Sequence, residues 1–142
     1  MSELPFTRNR TSAERDAAIR AAVRSVTQLP STAHHSRMAQ PGDASALLTL
    51  LEHPDVRNWI YSLPKPLTLA SVEAFIEKTL AAQARGEGLL SLNFDERGAV
   101  AGYSEVRVWP EWAAGEVAGA MRPDLQSKGQ GGAGMARTFT WM

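Results

Sequence analysis

The chain has 142 residues, 44% of them apolar and 21% charged, which suits one globular domain with a single moderate core. Fifteen basic residues balance fifteen acidic ones. This argues against a nucleic-acid binder with its concentrated basic face, but not against a small anion held by backbone amides. There is no cysteine, so disulfides, thiolate metal sites and cysteine nucleophiles are excluded.

Residues 1–12 are polar and expected to fray. A helix is predicted from Ser12 to Leu29. Ser12 is a partial cap, because Arg15 stands where a capping box places glutamate. Ile19, Ala22, Val23, Val26 and Leu29 share one face, for docking on the main domain or on a partner. Residues 1–31 therefore read as an N-terminal extension and 32–142 as the main domain. The opening residues hold no signal-peptide core, and no run approaches the ~20 apolar residues of a membrane span. The expectation is a cytoplasmic protein with no membrane or nucleic-acid partner.

A short strand is predicted near His34–Ala39. "PGD" then opens a helix with Asp43 as its cap and Ala46, Leu47, Leu50 and Leu51 as its stripe. The segment "EHPDVRNWIYSLPKPLT" contains three prolines and cannot be one helix. The strongest helix runs from Thr68 to about Arg85, burying Val72, Phe75, Ile76, Thr79 and Leu80 and stopping at "RGEG". Strands follow at Leu89–Asp95, Ala99–Trp109 and Glu116–Met121, separated by "ERG" and "PEWAAG". The order predicts an α/β (α+β) fold with a mixed, largely antiparallel sheet flanked by helices. His34 and His35 point to opposite faces of a strand and His53 sits in a loop, so no metal site is expected.

The run "RPDLQSKGQGGAG", Arg122–Gly134, concentrates glycine between a strand and a helix start. A P-loop would close on Gly-Lys-Ser/Thr, but Lys128 precedes Gly129. Gly129, Gly131 and Gly134 match a dinucleotide fingerprint, but the βαβ unit and its acidic residue about 20 positions on are not there. Such a loop suits another use. Glycine lets amides converge without Cβ obstruction, and a helix N-terminus adds about half a positive charge, so together they hold a pyrophosphate.

Gln126-Ser127-Lys128-Gly129-Gln130-Gly131 after a strand resembles the Q/R-x-x-G-x-G/A acyl-CoA loop of the GNAT N-acetyltransferases. "RPDLQSKGQG", and "RMAQPGDASALLTLLEHPDVRNWI" upstream, look like the RimJ/RimL-type branch. The resemblance covers roughly residues 37–142. It implies acetyl transfer from acetyl-CoA to a primary amine, on a small molecule or a protein N-terminus, with no metal. The implied cofactor contacts are Ala120, Met121, Arg122, Gln126, Ser127, Lys128, Gly129, Gln130, Gly131 and Gly132. A backbone N–H within Ala118–Met121 would polarise the thioester. Glu116 is the first candidate for the base that takes the amine proton and Glu105 the second. Trp59 and Tyr61 would shape the acceptor pocket.

The chain departs from that pattern after the loop. The resemblance implies that the family's later elements, with their tyrosine acid, are missing from the C-terminal part of the fold. A fragment, a chain completed by a partner such as a second copy in a homodimer, and a reduced relative all fit. The last residues, Met135, Phe139 and Met142, form an apolar stripe. The alternative function is a non-catalytic CoA-binding or protein-interaction module.

Overall fold

The computed structural model describes residues 9–142, apart from the side chain of Gln130, and the expectation for residues 1–8 lies outside them. Helix α1 spans Ala13–Ser25, with the Ser12 hydroxyl accepting from the Arg15 amide at 3.2 Å. It ends four residues before the predicted Leu29. Val26 is extended, the Gln83 side chain donates to the Val26 carbonyl at 2.9 Å, and Pro30 keeps the chain out of helical geometry. Leu29 is still buried, but from an extended segment.

Strand β1 (His35–Met38) leads through a 3₁₀ turn at Pro41–Asp43 into α2 (Ala44–Leu51). Asp43 does not cap α2 as predicted. Its carboxylate accepts from the Gln40 amide at 2.7 Å and takes a two-pronged bond from Arg37 at 2.7 and 2.8 Å. A forked, charge-assisted pair outweighs one neutral cap. The proline-broken segment holds one short helix, α3 (Pro54–Arg57). Helix α4 (Leu69–Arg85) starts on a reciprocal Thr68–Ser71 capping box. It buries Val72, Ile76 and Thr79, with Phe75 and Leu80 packed at the margin.

Strands β2 (Gly88–Phe94), β3 (Val100–Trp109) and β4 (Ala114–Met121) complete a four-stranded sheet of order β1-β2-β3-β4. Every pairing is antiparallel, and a bulge at Asn93/Phe94 accommodates Ala101. Helices α2, α3 and α4 cover one face through Leu47, Leu51, Val56, Val72 and Ile76 against Leu90, Leu92 and Tyr103. The other face packs Leu89 and Val106 against Val23 and Leu29, with Trp141 of α5 (Gln130–Trp141) alongside. Helix α5 turns Thr138 and Trp141 inward and leaves Phe139 exposed, while Met135 borders a cavity beside β4 and the Met142 methyl lies over Gly115. The predicted apolar stripe thus packs only through its two methionines, and Phe139 is 59% exposed. Thr138 is buried and Gly134 and Trp141 are half-buried, and these three form the inner row.

Helix α1 is bound to the α4–β2 turn. Arg20 pairs with Asp16 at 2.7 Å and Glu87 at 2.9 Å, and donates to the Arg85 carbonyl at 3.0 Å. Gly86 ends α4 at φ +75°, and a Cβ there would lie 2.5 Å from the Arg20 Cα. Neither backbone can yield without undocking α1 or unwinding the turn. Gly86→Ala is therefore expected to cost roughly 2 kcal/mol or more, measured by urea unfolding.

Candidate active site

The hydrogen-bond phase of β4 decides what it can offer. The Arg122 amide donates to the Ala101 carbonyl at 2.7 Å, and the register pairs Met121 with Gly102. Antiparallel bonding alternates, so Ala114, Glu116, Ala118 and Ala120 turn their backbone groups to β3. Gly115, Val117, Gly119 and Met121 turn theirs outward, where no strand stands among the described residues. The Gln126 side chain donates to the outward Met121 carbonyl at 3.0 Å. Of the stretch Ala118–Met121, only Gly119 and Met121 therefore present outward amides. The Ala120 backbone is spent on Tyr103, leaving only its methyl group.

Beyond β4 the chain makes a 3₁₀ turn at Pro123–Leu125, then passes Ser127 at φ +61° and Gly129 at φ +76°. Gly129 is the cap residue of α5, and its left-handed backbone is cheap only for glycine. These two left-handed residues turn the chain into the start of α5, and the first N–H groups of a helix have no intrahelical partner. Ser127, Lys128, Gly129, Gly131 and Gly132 are exposed there. Lys128 forms no ion pair among the described residues, whereas Arg122 is fully engaged. Its guanidinium meets Asp95 at 2.8 Å and Asp124 at 2.6 and 3.2 Å, tying the β2–β3 turn to the loop. Lys128 is thus the cation beside the glycines, and its charge also acts on Asp124.

A cavity of about 270 Å³ lies between the loop helix and the sheet, on the α5 face of β4. Its walls include Ser31, Asn93, Ser104, Gly119, Gly131 and Thr138. The residue 29–32 segment, which closes one side, carried no sequence signal for a site.

Glu105 and Glu116 occupy the opposite face. With their register partners, Tyr103, Glu105 and Arg107 face α2 and α4 together with Glu116, Ala118 and Ala120. Arg107 bonds both carboxylates, an arrangement visible only once the β3–β4 register is known. Burial pushes the Tyr103 phenol well above its ordinary value, with the Glu105 charge adding to the effect. Trp59 and Tyr61 lie on the loop after α3, 77% and 88% exposed, and do not line the cavity beside β4. Among the described residues no three His, Asp or Glu side chains gather as a metal site, and no helix is long and apolar enough to cross a membrane.

This arrangement, an edge strand delivering a glycine loop to a helix start, is the fold of the GNAT acetyltransferases. Among solved structures, the Salmonella typhimurium acetyltransferase that modifies the N-terminal serine of ribosomal protein L7/L12 superposes with a TM-score of 0.65 at 18% identity. The match covers 79% of this chain and 65% of that one. The ribosomal-protein-S5-alanine acetyltransferase of Vibrio fischeri gives 0.63 at 13%, covering 75% and 62%. A phosphinothricin acetyltransferase from Sinorhizobium meliloti, in complex with AcCoA, gives 0.57 at 18%, covering 75% and 57%. The chain thus spans less than two thirds of each. No protein-family model matches the sequence, and no curated protein matches it either.

The Arg122 clamp is pH-dependent. Hydrogen bonding to Arg122 holds the Asp95 and Asp124 carboxyls below the usual carboxylate range. A carboxyl with a depressed folded pKa stabilises above its unfolded value and loses that contribution as pH falls through the folded one. Wild type should therefore exceed Arg122→Met in thermal midpoint above about pH 5, with the gap closing below about pH 3.

Proposed function

We propose that this protein is an acetyl-CoA-dependent N-acetyltransferase acting on a primary amine, with residues 32–142 as the acetyltransferase domain and the N-terminal helix as its brace. The observation that carries the reading is the outward backbone of β4 running into the left-handed Ser127–Gly129 loop and the start of α5, on a fold that solved acetyltransferases share.

In this reading the amides of Ser127–Gly132 and the side chain of Lys128 hold the pyrophosphate. The Val117, Gly119 and Met121 backbone groups bind the extended arm as a neighbouring strand would. An outward amide, from Gly119 or Met121, polarises the thioester carbonyl. The amine nitrogen attacks that carbon, the new C–N bond replaces C–S, and the thiolate leaves. Glu116 takes the amine proton, directly or through water. Glu116 is the better base on exposure, since the Glu105 side chain is only 8% exposed and doubly bonded to Arg107.

Acetyl-CoA at about 100 times its dissociation constant should stabilise the fold by about 2.7 kcal/mol, read as an upward shift of several degrees in thermal midpoint. Glu116→Gln should keep that shift and lose turnover by about a hundredfold or more. A protein that unfolds cooperatively with no shift would overturn the proposal. A shift without turnover toward any amine would leave a CoA-binding module.

A further inference from the structure

The polar cluster on the α2/α4 face of the β3–β4 ribbon bears on which amine is accepted. Arg107 and Glu116 are direct cross-strand partners, and Glu105 lies two residues away on the same face of β3. The Arg107 guanidinium donates to the two oxygens of Glu105 at 3.1 and 3.3 Å, and to Glu116 by one contact of 3.5 Å. Side-chain exposure rises from 8% at Glu105 to 40% at Arg107 and 54% at Glu116.

The three groups are not equivalent. A carboxylate as enclosed as Glu105 needs a counter-ion in place, so Arg107 is committed to it. Glu116 is exposed and held by a single long contact. An incoming cation can take Glu116 without disturbing the Glu105–Arg107 pair. Further along β4 the same face carries only the methyl groups of Ala118 and Ala120, opposite Glu105 and Tyr103. Both alanines are half-buried, so beside Glu116 the strand presents only a shelf of small side chains, next to the outward amides that would serve the thioester. Tyr103 stays a neutral phenol, so two carboxylates and one guanidinium leave the cluster one negative charge in excess.

We infer that Arg107 is a positioning residue, holding Glu105 and steering Glu116 over Ala118 and Ala120, and that the shelf takes a cationic acceptor, an alkylammonium whose body bears no carboxylate. This rests on the acetyltransferase reading. An ammonium neutralises the excess charge and is handed to Glu116 for deprotonation. An amino acid brings a second carboxylate beside Glu116 when the one available guanidinium is already engaged.

The test uses the full chain, acetyl-CoA, and n-butylamine, 1,4-diaminobutane and glycine as probe acceptors. Wild type should favour both alkylamines over glycine by about tenfold or more in kcat/KM. Arg107→Gln should lower kcat for butylamine by about a hundredfold, through loss of the held geometry, while the thermal shift with acetyl-CoA persists. Arg107→Lys, which keeps the charge but loses the fork, should fall between the two. If Arg107→Gln does not unfold cooperatively, a lowered kcat in Arg107→Lys with the thermal shift intact supports the inference in its place.

Equal use of glycine and butylamine would overturn it. So would undiminished kcat in the Arg107 variants, or no acetylation of either alkylamine by a protein that acetyl-CoA stabilises. In each of those outcomes the thermal shift survives and the binding half of the reading stands. Absence of the shift in wild type overturns both.

Discussion

The hydrogen bond from the Arg122 amide to the Ala101 carbonyl sets the phase of the β3–β4 ladder, and the rest of the site depends on it. Backbone groups alternate in an antiparallel pair, so one bond decides which residues of β4 face β3 and which face outward. It also assigns side chains to faces. With this phase, Gly119 and Met121 offer amides at the free edge, while Glu116 joins Glu105 and Arg107 on the helix-covered face. A slip of one residue would exchange the two sets and place Glu116 on the α5 side. The clamp of Arg122 on Asp95 and Asp124 guards the phase by tying the β2–β3 turn to the chain leaving β4.

The candidate site lies where two differently built faces meet. The α2/α4 face is a continuous apolar core, and there the buried charge of Glu105 is tolerable only because Arg107 answers it. The α5 face is more loosely filled, with a cavity under the helix where glycines replace larger side chains. Helix α1 braces this second face. The Gln83 amide occupies the Val23 and Val26 carbonyls at the end of α1, and Arg20 binds the turn that starts β2. Exposed ion pairs of this kind contribute ~0–1 kcal/mol each, so the burial of Val23 and Leu29 is the main anchor and Arg20 chiefly sets the register of docking.

Much of this was legible along the chain. Helix α4 followed from its capping box and 3.6-residue period, and the three-strand meander from alternation broken by "ERG" and "PEWAAG". The glycine loop was legible because glycine density after a strand has few physical uses. The misreadings share one cause. Asp43 looked like a cap because the helix amides were assumed to win its carboxylate, and Arg37 outbid them from β1, six residues upstream. Met135, Phe139 and Met142 looked like a packing stripe because hydrophobicity was taken to mark the inner face. Phe139 is left exposed, while Thr138 is buried and the two methionines stand at the edge of the packed face. Arg107 drew no notice, since its role needs a partner nine residues away across a turn.

The sequence alone determined the element types, their order and the place of the glycine loop between strand and helix, because propensity, capping and period act within a few residues. The tertiary structure decided which edge of β4 is free, which glutamate is buried and which exposed, and which arginine is a clamp and which a bridge. These are properties of register and face, and register is a relation between strands that no local pattern contains.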